Sequence, residues 1–170
     1  MAYALPLSFP NAAALPRVVL TLVGLWVVIG LSGCASSRPA LETQDGYSLD
    51  MTQALIVSSA KNALGTPYRW GGTTASGLDC SGLTQRSYQS AGISIPRTSN
   101  QQFQNLPRRE RARPGDLLFF GPRGRASHVG IYIGNNEMIH APGAGRTVRV
   151  SNITKRYWRH HFLGVAGPRN

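Results

Sequence analysis

At 170 residues the chain has room for one domain built on a single core, since compact domains usually take ~100 to 150 residues. Its formal net charge is +11, from 18 Lys+Arg against 7 Asp+Glu, and 16 of the 18 bases are arginine, a balance suited to anionic surfaces and carboxylate-bearing partners. The seven acids, at 42, 45, 50, 79, 110, 116 and 137, leave little for chemistry that needs a carboxylate pair or an all-oxygen metal cage, so the catalytic candidates shrink to Cys, His, Ser and Tyr.

Residues 18–31, VVLTLVGLWVVIGL, form an uncharged run behind Arg17, followed by small residues and a cysteine. This is the layout of an export signal, and the run is short for a membrane span. A retained signal anchor is the alternative, and Leu31-Ser32-Gly33-Cys34 argues against it because it resembles the lipobox of bacterial lipoproteins. The resemblance implies a signal peptide over 1–33 that is cut away, a Cys34 carrying acyl chains, and stable anchoring through more than one chain. Ala35, in place of an aspartate, implies the outer membrane, facing the periplasm. Residues 34–49 are small, polar and turn-forming, and read as a tether to a folded part over 50–170.

With Cys34 given to lipid, Cys80 is the one remaining thiol, in a compartment that oxidises thiols. A lone cysteine is often a small buried hydrophobe, but Gly77-Leu78-Asp79-Cys80-Ser81-Gly82-Leu83 is too polar and glycine-rich for a core strand. Leu83, Tyr88 and Ala91 recur at near-helical spacing until Gly92, which predicts a helix over 80–91 capped by Asp79, with Cys80 in its first turn. Unpaired N–H groups at a helix start favour a thiolate and offer donors to a developing oxyanion. Further helices are predicted near 50–64 and 98–105.

Strands are predicted near 116–120, 127–133, 137–141, 146–151 and 161–166. Pro114-Gly115 turns the chain into the first, with Asp116 holding that turn by side-chain hydrogen bonds. In Ser127–Ile133, Val129, Ile131 and Ile133 alternate with His128, Gly130 and Tyr132, so the histidine points away from the core. Glu137–Ala141 reads as the return strand of a hairpin. A three-residue loop at 134–136 sets 133 opposite 137 and 130 opposite 140, which brings His140 diagonally next to His128 on one face; a two-residue loop would put His140 opposite Ile131 on the other face. His140 can then orient His128 as the third member of a triad does. His160 and His161, adjacent in sequence and with no thiol or acid near, read as structural or surface residues.

A zinc site from Cys80, His128 and His140 is the competing use of these ligands, but no close ligand pair is present, and no metal is expected. Nucleic acid is not expected as a partner either: the arginines scatter through 108–113, 123–125, 146–149 and 155–159 with no accompanying binding signature.

Gly65-Thr66-Pro67-Tyr68-Arg69-Trp70-Gly71-Gly72, Asp79-Cys80-Ser81-Gly82-Leu83, Arg113-Pro114-Gly115-Asp116-Leu117, His128-Val129-Gly130-Ile131-Tyr132-Ile133-Gly134 and Ile139-His140-Ala141-Pro142, in that order, resemble the NlpC-type cell-wall cysteine peptidases. The resemblance spans about 52 to 166. It implies an α+β fold, a reduced papain-like domain whose N-terminal helices carry the cysteine at a helix start and pack on an antiparallel sheet carrying the histidines. It also implies a thiol acyl-transfer endopeptidase acting on the stem peptides or cross-links of peptidoglycan, with no cofactor, working as a monomer from its lipid anchor. Cys80 takes the place of the nucleophile, His128 of the base and His140 of the polar third residue. Tyr68 matches a tyrosine that can donate to the oxyanion or hold substrate, and Asp79 and Ser81 match positions that help bind its polar groups. Leu78 stands where an aromatic is common, which bears on the pocket wall. Lipid-acting relatives of the fold place histidine before cysteine; here cysteine comes first. A related amidase or acyltransferase, or a non-catalytic envelope lipoprotein that binds the wall, is the alternative function.

Overall fold

Asp50 begins the first long helix because its carboxylate accepts the Gln53 N–H at 2.8 Å, satisfying a donor that the helix itself leaves unpaired. The computed structural model describes the backbone at 41–42 and 48–49 and the chain from 50 to 168. The expectations placed on residues 1–40, including the signal peptide and Cys34, lie outside the described residues. Everything described falls in one unit, residues 39–170.

A short antiparallel ladder, β1 (Leu41–Glu42) with β2 (Ser48–Leu49), precedes the domain. It lies in the stretch read as a tether, and a two-pair backbone ladder needs no apolar periodicity. Helix α1 (Met51–Asn62) buries Ile56, Val57 and Ala60. A small hairpin, β3 (Thr73–Thr74) and β4 (Gly77–Leu78), leads straight into helix α2 (Cys80–Gln89). Helix α3 (Ser99–Asn105) starts with a capping box between Thr98 and Gln101.

The remaining strands are β5 (Arg108–Arg109), β6 (Leu117–Phe120), β7 (His128–Gly134), β8 (Glu137–His140), β9 (Arg149–Asn152) and β10 (Phe162–Ala166), with helix α4 (Arg156–His161) before β10. They form one sheet in the order β5-β10-β6-β7-β8-β9, antiparallel at every pair. The α+β class and the helices-on-antiparallel-sheet layout are as expected. α4, β5 and the β3–β4 hairpin are additions; each is six residues or fewer, below the window in which periodicity is readable.

The sheet is buried on both faces, which is why β6 reads Leu117-Leu118-Phe119-Phe120 without alternation. One face packs Leu117, Phe119, Val129, Ile131 and Ile139 against Ile56 and Ala60 of α1 and Leu83 and Tyr88 of α2. The other gathers Leu118, Phe120, Met138 and Val165 beneath Tyr132 and Trp158. Gln102, fully buried, ties α3 to α2: its amide accepts from Thr84 at 2.9 Å and donates to the Ser81 carbonyl at 3.2 Å. Tyr88 Oη donates to the Gly115 carbonyl at 3.1 Å, fixing the far end of α2 to the turn before β6. That turn is closed by Asp116, whose carboxylate accepts the Arg113 N–H at 2.8 Å.

Candidate active site

The site begins with Asp79, the residue before α2. Its carboxylate accepts the Gly82 N–H at 2.6 Å, the Gly71 N–H at 2.9 Å and the Ser81 hydroxyl at 3.2 Å. Arg97 then clamps both of its oxygens, at 3.0 and 2.5 Å. Burial alone would raise the Asp79 carboxyl, but the Arg97 guanidinium, the Gly82 N–H and the Ser81 hydroxyl outweigh it and hold the group below the usual carboxylate range. Asp79 and Ser81 are mainly buried, and their polar atoms serve α2 and Arg97. They build the helix start that carries the thiol.

Gly82 makes that start possible. A Cβ there would collide with the Gly72 carbonyl, and the Asp79 N–H donates to the same oxygen at 3.1 Å, so the first turn of α2 lies directly on the 71–72 loop. Gly71 itself sits at φ +71°, a left-handed conformation that glycine adopts without strain.

Cys80, the first residue of α2, is the free thiol among the described residues. Burial pushes the thiol up, and the Asp79 charge adds to this; the N–H groups of Val129, Ser81 and Cys80 itself point toward the sulfur and act in the opposite sense, favouring thiolate. The Val129 contact ties the sulfur to the beginning of β7, and Cys80 and His128 line one cleft.

From His128 a chain of hydrogen bonds leads inward. His128 Nε2 is 2.8 Å from His140 Nδ1, and His140 Nε2 is 2.9 Å from Ser151 Oγ. The two imidazoles meet edge to face, with centroids 5.0 Å apart at 90°. Trp158 of α4 covers them, stacked on His128 at 5.5 Å and edge-on to His140 at 5.1 Å. Burial lowers His128 to about 4 and, with the charges of His128, Arg149 and Arg146 added, His140 to about 3, so both rings are neutral at neutral pH.

The hairpin that joins the histidines differs from the expected loop. Gly134 pairs with Glu137, so the turn is the two residues Asn135 and Asn136, both at positive φ (51° and 56°). The register then shifts between Tyr132 and Gly134, where Ile133 is the extra residue of a bulge, and beyond it Ile131 pairs with Ile139. The bulge restores the odd count that a two-residue turn lacks, so His140 shares the face of His128. Asparagine tolerates the left-handed region, and a two-Asn turn fits the signal better than a three-residue loop.

A cleft of about 460 Å³ is lined by Tyr68, Trp70, Gly71, Cys80, Arg97 and His128, among others. A second groove of about 460 Å³ shares Ser127, His128 and Pro142 with it and continues past His140 to Arg146, Arg149, Tyr157 and Trp158. Tyr68 is pushed up by burial and by the neighbouring Cys80 and Asp79, which keeps its phenol a neutral donor. Leu78 is 1% exposed, in the core, and is not among the residues that line the cleft. His160 and His161 sit on α4 away from Cys80's cleft; His161 Nδ1 lies 2.8 Å from the Tyr157 carbonyl. No group of three or more His, Cys, Asp or Glu among the described residues is placed to hold a metal ion.

Arg97, Ser151 and Trp158 are the residues that sequence reading missed. Ser151 had a signal, since it lies two residues beyond Arg149, which pairs with His140, on the same face of the next strand. Trp158 had none, sitting in a six-residue helix without periodic neighbours.

The model of the NlpC/P60 family matches residues 65–167, a stretch that contains Tyr68, Cys80, His128, His140 and Ser151. The chain belongs to the NlpC/P60 family. It is 38% identical over 131 residues to the murein DD-endopeptidase MepH of Escherichia coli K12, covering 71% of this chain and 48% of that protein. It is 43% identical over 115 residues to a gamma-D-glutamyl-L-lysine dipeptidyl-peptidase of Bacillus cereus, covering 65% of this chain and 34% of the other. A crystal structure of an NlpC/P60 family protein from Bacillus cereus superposes with a TM-score of 0.64 at 36% identity, over 67% of this chain and 39% of that one. The chain thus spans about half or less of the length of these relatives, and what they share with it is the NlpC/P60 domain with the reduced papain-like α+β fold.

Proposed function

We propose that this chain is a peptidoglycan endopeptidase of the cysteine type, with Cys80 as nucleophile, His128 as base and His140 as the residue that positions the base. The observation that carries the reading is the line of hydrogen bonds from His128 through His140 to Ser151 Oγ, with His128 lining the same cleft as the Cys80 thiol at its helix start. Relatives named for murein and D-glutamyl bonds support a wall-peptide substrate.

Because Nε2 of His128 is committed to His140, Nδ1 is the atom left for the thiol. For Nδ1 to accept a proton, Nε2 must carry one and donate it to His140 Nδ1. His140 Nε2–H then donates to Ser151 Oγ. Burial holds each ring neutral, so proton transfer creates thiolate and imidazolium together as a contact pair. The N–H groups at the sulfur stabilise it. Sulfur attacks the peptide carbonyl carbon, forming the S–C bond while the carbonyl π electrons move to oxygen. The start of α2 and the Tyr68 phenol are placed to donate to that oxygen. On collapse the C–N bond breaks and His128 Nδ1–H protonates the leaving amine. Water then gives a proton to His128, its oxygen bonds to the acyl carbon, and the C–S bond breaks to return the thiolate, which recovers its proton from His128. Asp79 and Ser81 act by holding Arg97 and α2 at the wall of the cleft.

The same reading places the chain in the envelope. Residues 1–33 serve as signal peptide, Cys34 carries lipid at the outer membrane facing the periplasm, 34–49 tether it, and 50–170 act on the wall as a monomer. No helix among the described residues is long and apolar enough to cross a membrane. A Cys34→Ala variant is expected to lose radioactive palmitate incorporation; retained label would exclude lipidation there. For the activity, purified muropeptides are incubated with the protein and the products weighed by mass spectrometry. New amine and carboxyl termini at a cross-link or stem bond are expected, and intact muropeptides that merely bind would point to a wall-binding lipoprotein.

A further inference from the structure

The two grooves that meet at His128 carry different charge. On the Cys80 side, the guanidinium of Arg97 is clamped bidentately by Asp79, so the cation is neutralised within the wall. Past His128 and His140, Arg146 and Arg149 line the second groove, and neither has an acidic partner among the described residues. Both lie close enough to His140 for their charges to act on its ring. Their placement is built into the fold. Arg149 pairs with His140 across β8 and β9. Arg146 is held through its backbone, its carbonyl accepting the Tyr68 N–H at 2.8 Å and its N–H donating to Gly143 at 3.2 Å.

The acyl half of the substrate stays on Cys80, while the amine departs with a proton from His128. The groove on the far side of His128 therefore receives the leaving half. We propose that Arg146 and Arg149 form a leaving-group subsite that recognises a free carboxylate on the carbon bearing the departing amine. This rests on the proposed function and narrows it. In a D-alanyl-diaminopimelate cross-link the departing amine and a free carboxylate share a carbon. At the D-glutamyl-diaminopimelate stem bond the corresponding carboxyl is tied up in the next amide. Two unpaired guanidiniums therefore select the cross-link, and select against acceptors whose carboxylate is amidated.

The test uses the full-length chain and two cross-linked muropeptides that differ only in that group, carboxylate or carboxamide. Hydrolysis of the acid with kcat/KM on the order of tenfold above the amide is expected. Arg146→Gln and Arg149→Gln should raise KM for the acid toward that for the amide, so that the ratio of kcat/KM between the two falls toward one. Equal kcat/KM for the two muropeptides, or variants that lose activity on both alike, would overturn the subsite. Binding of the same pair to Cys80→Ala gives a second readout that needs no turnover, and equal affinities there also overturn it. If neither muropeptide is cleaved by the wild-type chain, the proposed function fails while the binding comparison still decides the subsite.

Discussion

At the scale of single residues, the histidines matter through which nitrogen faces what. As the proposed base, His128 is useful only in the tautomer with the proton on Nε2, and in that tautomer Ser151 Oγ accepts from His140 Nε2, 2.9 Å away. Ser151→Ala leaves that donor without its partner and weakens the hold on the His140 ring. Since a hydrogen bond of this kind contributes ~1 kcal/mol, kcat is expected to fall ~5- to 10-fold with KM unchanged and to recover in Ser151→Thr; steady-state kinetics on one muropeptide check this, and a KM effect alone would contradict the role. The pH profile carries a second prediction. His128 is lowered by burial to about 4, so the neutral base persists well below the ordinary 6.5 and is lost only as pH falls through about 4. The acid limb of kcat/KM is expected near 4, and a limb at 6.5 would mean the ring is better solvated than its cover by Trp158 implies.

At the scale of elements, the site depends on how two pieces of backbone lie against each other. The start of α2 rests on the 71–72 loop through Gly82, where a methyl group would strike the Gly72 carbonyl. Gly82→Ala is expected to cost ~2 to 3 kcal/mol and to lower activity by displacing Cys80, read by chemical denaturation and by the rate of Cys80 alkylation. The elements legible in the sequence include α2, capped by Asp79, and the alternating β7. The hairpin between the histidines was legible in its outcome and misread in its device. Side-chain alternation fixes which face His128 occupies, while a bulge at Ile133 is set by packing between strands and leaves no mark in the pattern. Arg97 is a related case. Its pairing with Asp79 spans 18 positions and depends on how α3 docks on α2 through Gln102, a tertiary fact.

For the whole molecule, neutral buried histidines carry a cost on acidification. In the folded chain burial holds His128 to about 4 and, with neighbouring charges, His140 to about 3, whereas in the unfolded chain both return to the ordinary 6.5. Between about pH 6.5 and 4 the unfolded chain therefore binds protons that the folded chain does not, and stability must fall as pH drops through that window. The melting temperature is expected to be lower at pH 5 than at pH 7, with a smaller drop in His140→Asn; an unchanged or larger drop in that variant would remove His140 as the cause. The same burial that makes the pair acid-sensitive keeps His128 a free base at neutral pH, next to a thiol at the mouth of a cleft. The central claim is that this thiol performs the chemistry, and kcat/KM for muropeptide hydrolysis by Cys80→Ala beside the unaltered chain tests it most directly. A loss of more than about a thousandfold in a variant that keeps its melting temperature is predicted, and hydrolysis continuing at the unaltered rate would contradict it.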